Sequence, residues 1–336
     1  MKEYNIVIAG ATGLVGRTFI RVLEEKNFPI KRIRFLASSR SVGQKIKFRG
    51  EDIPVEELKA GMFKGFDIAL FSAGAGVSRE FSPISASEGC IVIDNSSAFR
   101  MERDIPLVVP QVNSHRIKEY KNRGIIANPN CSTIQMVVAL NPIHKVNPIK
   151  RIIVSTYQAV SGAGQKAVDA LNREITAYYR NEQIPPQHFP YHIAFNCIPH
   201  IDVFQENYYT KEEMKMVFET QKIMDADIKV APTTVRIPVM YGHSESVLIE
   251  TERPISREEA INLLKNAPMV ILFDNPEEKK YPMPIIAKDR DEVFVGRIRE
   301  PLIFENGLAM FIVADNIRRG AATNAVEIAE ILKDML

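Results

Sequence analysis

The chain has 336 residues, 46% hydrophobic and 25% charged, with a formal net charge of +2. That length allows two domains with full cores. The small, scattered charge excludes nucleic acid or an anionic membrane as the main partner. Three widely spaced cysteines, Cys90, Cys131 and Cys197, match neither a disulfide framework nor a metal-ligand pattern. No apolar run approaches the roughly 20 residues of a membrane span. The chain enters a strand almost at once, with no signal peptide visible, and its cysteine usage fits a reducing, cytoplasmic setting.

Tyr4–Ala9 reads as a short buried strand and leads into Gly10-Ala11-Thr12-Gly13-Leu14-Val15-Gly16. A helix pattern follows, with Val15, Phe19, Val22 and Leu23 on one face. Strand, glycine turn and helix in that order form the context of a dinucleotide cradle. Gly10 permits the turn, Gly13 lets the backbone approach a pyrophosphate, and Gly16 lets helix and strand pack closely. Thr12, Leu14 and Val15 belong to the same cradle. The spacing is G-x-x-G-x-x-G, not the G-x-G-x-x-G of common NAD enzymes.

A second strand, Ile33–Ala37, ends in Ser38-Ser39-Arg40-Ser41. An NAD enzyme usually carries an acid here to hold the ribose 2′-hydroxyl. Hydroxyls and a guanidinium instead suit a 2′-phosphate, which favours NADP. A third strand, Phe66–Phe71, ends in the small residues Ser72, Ala73 and Gly74, which leave room for a ligand. Cys90 opens a fourth buried run through Asp94, and we read it as structural. Residues 107–109 and 124–127 read as further strands. This alternation implies a doubly wound parallel sheet of the α/β class.

Asn128-Pro129-Asn130-Cys131-Ser132 precedes the apolar run Ile134–Leu140, read as a buried helix. A thiol at a helix N-terminus meets the positive end of the helix dipole, which favours the thiolate needed for nucleophilic attack. A strand over residues 151–157 ends at Gln158 and a loop containing Ser161 and Gly162. Cys197 lacks a helix start and is read as structural. In the extended segment at residues 234–239, Arg236 faces opposite to Val235 and Ile237, and suits a carboxylate. His243, after a Gly turn, has the ordinary pKa for proton transfer near neutrality.

Taken together, the segments Gly10–Gly16, Asn95–Arg100, Asn128–Ser132, Gln158–Gly162 and Arg236–Val239, with His243, resemble the aspartate-semialdehyde dehydrogenase family over essentially the whole chain. Asp315-Asn316 and Gly320-Ala321-Ala322 fit its C-terminal signature. The resemblance implies NADP-dependent, reversible reductive dephosphorylation of aspartyl phosphate to aspartate semialdehyde and phosphate. That reaction serves lysine, methionine, threonine and isoleucine biosynthesis, the diaminopimelate branch included. It implies Cys131 as nucleophile, His243 as general acid/base and Gln158 as orienter of substrate and acyl intermediate. Arg236 would bind the substrate carboxylate and Glu212 its amino group, with Glu213 the alternative to Glu212. Arg100 and Lys215 would bind phosphate, Asn130 would contact substrate, Asn316 would lie by the nicotinamide, and Ser161 and Gly162 would bind the cofactor.

No metal is implied. The resemblance further implies an NADP-binding domain over 1–130 and 317–336, and an α+β catalytic and dimerisation domain with a mixed sheet over 131–316. A homodimer and a C-terminal helix from about residue 320 follow from it as well. Residues 178–210, rich in Tyr, Pro and His, read as an insertion that covers the site or builds the interface. The competing readings are an N-acetyl-γ-glutamyl-phosphate reductase or other semialdehyde dehydrogenase, and an inert dinucleotide-binding protein.

Overall fold

The structure is a computed structural model that describes residues 2–336. The chain divides into two compact units, Met1–Asn130 with Ala321–Leu336, and Cys131–Gly320.

The first unit carries strands β1 (Tyr4–Ala9), β2 (Ile30–Ala37), β3 (Lys45–Phe48), β4 (Glu51–Glu57), β5 (Ile68–Phe71), β6 (Ile91–Asp94) and β7 (Ile125–Ala127). They form one sheet in the order β3-β4-β2-β1-β5-β6-β7. All pairings are parallel except β3 with β4. Strand β1 is buried along most of its length because both faces of a parallel sheet are covered. Helix α1 (Leu14–Glu25) buries Phe19, Ile20, Val22 and Leu23, and helix α2 (Ala75–Ser87) follows β5. A C-terminal helix, Thr323–Lys333, adds Val326, Ile328, Ala329 and Leu332 to the same core.

Two sequence expectations change here. Residues 107–109 do not form a strand: only Leu107 makes a bridge, to Ala127. The cause is Asn113, whose Oδ1 accepts from the Val109 amide at 2.9 Å while Pro110 opens a short helix, so the ladder stops. The C-terminal helix begins at Thr323, after a π-helical turn over Arg318–Ala322.

The second unit has strands β8 (Ile149–Gln158), β9 (Lys229–Arg236), β10 (His243–Thr251), β11 (Val270–Leu272), β12 (Val293–Arg299) and β13 (Gly307–Ala314). Their order is β11-β12-β13-β10-β8-β9. The sheet is mixed: β8 pairs parallel with β9 and antiparallel with β10. Its helices are α3 (Cys131–Val146), α4 (Gln165–Tyr179), α5 (Lys211–Met224) and α6 (Arg257–Lys265). Helix α3 is apolar almost all round and is the buried helix at the centre of the unit. It packs against α5, α6 and the sheet. On β8 the residues alternate: Ile152, Val154, Thr156 and Gln158 are buried, while Ile153 and Tyr157 are exposed.

Candidate active site

Strand register brings the chemistry of the second unit together. Gln158 and Arg236 are direct partners at the carboxyl ends of parallel β8 and β9. Ser244 pairs with Tyr157 across β8 and β10, so His243 at the start of β10 falls beside the same end. Gln158 Nε2 donates to Ser132 Oγ at 3.0 Å, which ties the strand ends to the first turn of α3, where Cys131 stands. Cys131 is partly accessible. Buried Cys90 differs: burial, the largest cause, pushes its thiol up to about 12, which leaves it inert. Cys197 is exposed, not packed in a core.

Gln158 Nε2 also donates to Glu212 Oε1 at 3.2 Å. Lys215 Nζ donates to Glu212 Oε2 at 3.0 Å and to Asp202 Oδ2 at 2.8 Å. Burial works against the Lys215 charge, but Glu212 and Asp202 outweigh it and raise its pKa. The adjacent Glu213 is occupied elsewhere. Its Oε2 accepts from the Thr210 amide at 2.7 Å, its own amide donates to Thr210 Oγ1, and its Oε1 accepts from the Thr234 amide at 3.0 Å. This is a capping box at the start of α5. Of the two carboxylates, therefore, Glu212 is the one turned to Gln158.

Arg236 is buried and donates from Nη1 to the Ala159 carbonyl at 2.7 Å. Its Nε has no partner among the described residues. Burial lowers its pKa, opposed by Glu212 and Cys131. A buried guanidinium with an unused donor is a site for an anionic group such as a carboxylate. Its backbone pairs with Ile198 in both directions, so the strap at residues 180–209 crosses at this strand end.

His243 is fully buried, and its Nδ1 accepts from the Ala159 amide at 3.1 Å. Burial, then Arg236, depress its pKa from 6.5 to about 3. Burial thus keeps the imidazole neutral well below the pH at which the ordinary histidine expected from sequence would take a proton. Gly162 explains itself here: a Cβ on it would stand 2.9 Å from Arg236 Nη1 and 3.1 Å from His243 Nε2. Asn316 Oδ1 accepts from the Gly242 amide at 2.9 Å, and its Nδ2 donates to Ser161 Oγ at 3.0 Å. It clamps the turn before His243 to the loop that carries Gly162.

The first unit holds the cradle residues. Gly10 has φ +84, and a Cβ there would meet Ser72 O at 2.7 Å, so the chain can adopt this turn only with glycine. A Cβ on Gly16 would lie 2.2 Å from Gly10 O, as its helix-packing role requires. Gly10 ends β1 beside β5, the point where strand order reverses and ligands bind. Gly13 caps α1 with no side-chain bond, leaving the first-turn amides free for a phosphate. Thr12 Oγ1 lies 3.4 Å from Ser41 Oγ, and Ser38, Ser39 and Arg40 are exposed beside it. Ser72 Oγ is buried without a partner among the described residues, followed by Ala73 and by Gly74 at φ +88. These features fit a dinucleotide. Arg100 is buried in this unit and donates from Nη2 to the Asn95 carbonyl at 2.9 Å. Asn130, also buried, is the unit's last residue before Cys131.

Several residues of the site carry no signal in the sequence. Asp202 reaches Lys215 from an irregular strap, Ser132 accepts from Gln158, and the Ala159 amide fixes His243. A Cβ on Gly320 would come within 2.7 Å of Cys131 Cβ, so the small-residue run there leaves space beside the thiol. Among the described residues no group of three or more His, Cys, Asp or Glu is placed to hold a metal ion, and no helix is long and apolar enough to cross a membrane.

Residues 5–120 match the sequence model of the semialdehyde dehydrogenase NAD binding domain, and residues 140–319 that of the semialdehyde dehydrogenase dimerisation domain. The chain is 60% identical to aspartate-semialdehyde dehydrogenase of Aquifex aeolicus, over 98% of each chain. The chain belongs to the aspartate-semialdehyde dehydrogenase family. Its structure is similar to that of aspartate semialdehyde dehydrogenase II of Vibrio cholerae, solved as a complex with ASA, at TM-score 0.97 and 47% identity, covering 99% of each chain. A more distant relative solved with NADP, from Candida albicans, matches at TM-score 0.77 and 27% identity, covering 99% of each chain. Membership makes the chain a nicotinamide-dependent oxidoreductase of amino-acid biosynthesis.

Proposed function

We propose that the protein catalyses the NADP-dependent, reversible conversion of aspartyl phosphate to aspartate semialdehyde and phosphate through a thioester on Cys131. One observation carries this reading: Gln158, Arg236, His243 and Glu212 meet at the strand ends beside the first turn of the Cys131 helix. Cys131 Sγ attacks the acyl carbon, the S–C bond forms, and the C–O bond to phosphate breaks. Bound NADPH would supply a hydride to the acyl carbon. Arg236 holds the substrate α-carboxylate with its free donor, and Glu212 takes the amino group. Gln158, held between Ser132 and Glu212, orients the acyl group, and His243 assists collapse to the aldehyde.

Arg100 and Lys215 are the phosphate cations of this reading, with Asn130 beside the nucleophile. Ser161, Gly162 and Asn316 stand on the nicotinamide side. Gly10, Thr12, Gly13, Leu14 and Val15 cradle the pyrophosphate, with Ser72, Ala73 and Gly74 at the neighbouring strand end. Ser38, Ser39, Arg40 and Ser41 receive the 2′-phosphate, which favours NADP over NAD. The product feeds lysine, methionine, threonine and isoleucine biosynthesis, with residues 1–130 and 317–336 as cofactor domain and 131–316 as catalytic and dimerisation domain. A homodimer is supported by the exposed sheet face, where Ile153 and Tyr157 stand clear and Tyr157 lies 6.2 Å from Phe311.

The test is purified protein with aspartate semialdehyde, phosphate and NADP or NAD, followed by nicotinamide absorbance. Turnover with NADP preferred, lost in Cys131→Ala, is the expected result. No turnover would sink the reading, and equal use of NAD would remove the role of Arg40.

A further inference from the structure

We propose that Glu245, held as a neutral carboxylic acid, and Gln135 form a reciprocal hydrogen-bonded pair that fixes the start of the Cys131 helix against β10, which makes both positioning residues for the nucleophile. The inference rests on the function proposed above for Cys131 and adds two residues that the reaction does not otherwise use. Gln135 stands one helical turn after Cys131, on the same side of α3. Its side chain is buried, and its Nε2 donates to the His243 carbonyl at 3.3 Å. A carbonyl can only accept, so the amide nitrogen is the end turned to β10. One amide hydrogen thus ties the helix that carries Cys131 to the first residue of β10.

Glu245 lies two residues further along β10, on the same face as His243 and Val247. Its register partners are Thr156 on β8 and Ile312 on β13. All of these neighbours are buried, and of them only His243 titrates. From α3, Gln135 is the side chain that acts on the carboxyl.

The supply of donors sets the protonation state. Glu245 Oε1, Glu245 Oε2 and Gln135 Oε1 are all buried, and none makes a well-formed hydrogen bond among the described residues. An ionised carboxylate brings no donor, so these acceptors would share the one amide hydrogen of Gln135 that His243 O leaves over. A proton on Glu245 resolves this. Its O–H donates to Gln135 Oε1, and the second Nε2 hydrogen of Gln135 donates to the other carboxyl oxygen. An amide presents a donor and an acceptor side by side, so the two groups close a ring of two hydrogen bonds. Burial acts in the same direction, raising the Glu245 pKa well above 4.5. Loss of the proton would set the carboxylate against Gln135 Oε1. The amide would then turn, and its bond to His243 O would be given up.

Two measurements on the full-length protein test the pair. The first is the infrared difference spectrum between native protein and Glu245→Gln at neutral pH. The native side should show the C=O band of a neutral carboxylic acid, and a carboxylate band in its place overturns the proposal. The second compares Glu245→Gln with Glu245→Met. Glutamine offers an N–H to Gln135 Oε1 and a carbonyl to Gln135 Nε2, so it rebuilds the ring. Methionine fills the space with neither. A carboxyl that merely occupies the core would make the two variants alike, or methionine the better one. We expect Glu245→Gln to keep kcat within about threefold of the native enzyme and Glu245→Met to lose about tenfold or more, as misplaced reacting groups do. The same order should hold for alkylation of Cys131 by iodoacetamide, followed on its own peptide because Cys197 is exposed. Equal rates in the two variants overturn the proposal. Should Glu245→Met fail to fold, Gln135→Met removes the tie from the helix side and takes its place, with the same loss expected. Should the native protein fail to turn over aspartate semialdehyde, the proposed function falls, while the infrared band and the alkylation rates still decide whether the pair forms and positions Cys131.

Discussion

Gly162 is the residue on which the site's tolerance turns. It needs no positive φ, so its role is space alone: Arg236 and His243 both close to about 3 Å of where a Cβ would be. A methyl group there must push aside a buried guanidinium bonded to Ala159 O, an imidazole bonded to the Ala159 amide, or both. Gly162→Ala should therefore leave the fold intact and lower kcat/KM by tenfold or more, since displacement by about 1 Å near reacting atoms costs about 100-fold. Circular dichroism melting and initial rates on one preparation check this. A native rate in the variant would show that the space over Gly162 is not used. The family resemblance makes Gly162 a cofactor-binding loop glycine. Its contact with Arg236 is invisible there, because 74 positions separate the two and only the β8–β9 register joins them.

At the scale of elements, helix α5 shows how local rules and function divide neighbouring residues. Thr210 and Glu213 form the cap, while Glu212 and Lys215, on the same first turns, face the site. Thr210→Ala removes one accepting hydroxyl and should cost about 1 kcal/mol. Glu213→Ala strips the acceptor from two buried amides, Thr210 and Thr234, and should cost more, about 1–3 kcal/mol for each. Urea unfolding of the two variants separates these values, and equal costs would refute the ranking.

In the Glu-x-x-Lys pattern Glu213 adjoins Glu212, so the sequence leaves the two as alternatives, and the Thr210–Glu213 capping box seen in the structure separates them. Elements with strong period and clear punctuation, such as β1, α1 and α3, were legible at the outset. The β3–β4 hairpin was not: Lys45-Ile46-Lys47-Phe48 is short and charged, and Pro54 sits inside Glu51–Glu57. Proline is tolerated there near the sheet edge, and the pairing of β4 with β2 is a long-range event that local propensity does not encode.

For the molecule as a whole, two buried groups two residues apart on β10 set opposite limits to stability. Glu245 is fully buried; neither carboxyl oxygen makes a well-formed hydrogen bond among the described residues, and the Gln135 side chain is the polar group close enough to act on it. Burial raises its pKa well above the ordinary 4.5, with Gln135 opposing the shift. An acid raised in the fold contributes stability that is fully present below 4.5 and is lost as pH rises through the folded value. His243 behaves in the reverse sense. Its pKa falls from 6.5 to about 3, so its contribution is full above 6.5 and is lost as pH falls toward 3. The slope of that loss is about 1.4 kcal/mol per pH unit for one proton.

Glu245 and His243 should each contribute a shoulder to the pH–stability curve, with Asp94 acting in the sense of Glu245 and His144 in the sense of His243. Glu245→Gln keeps the shape of the neutral carboxyl and cannot ionise. Its advantage in Tm over the native protein should grow as pH rises above 4.5 and vanish below it. His243→Gln should flatten the acid shoulder between pH 6.5 and about 3, although its Tm at neutral pH is lower because the Ala159 amide loses its acceptor. Calorimetry of the three proteins across this range tests both assignments. A Glu245→Gln difference that does not depend on pH would mean that the carboxyl has the same pKa in the folded and the unfolded chain. An unchanged acid shoulder in His243→Gln would place the acid-sensitive proton on another group.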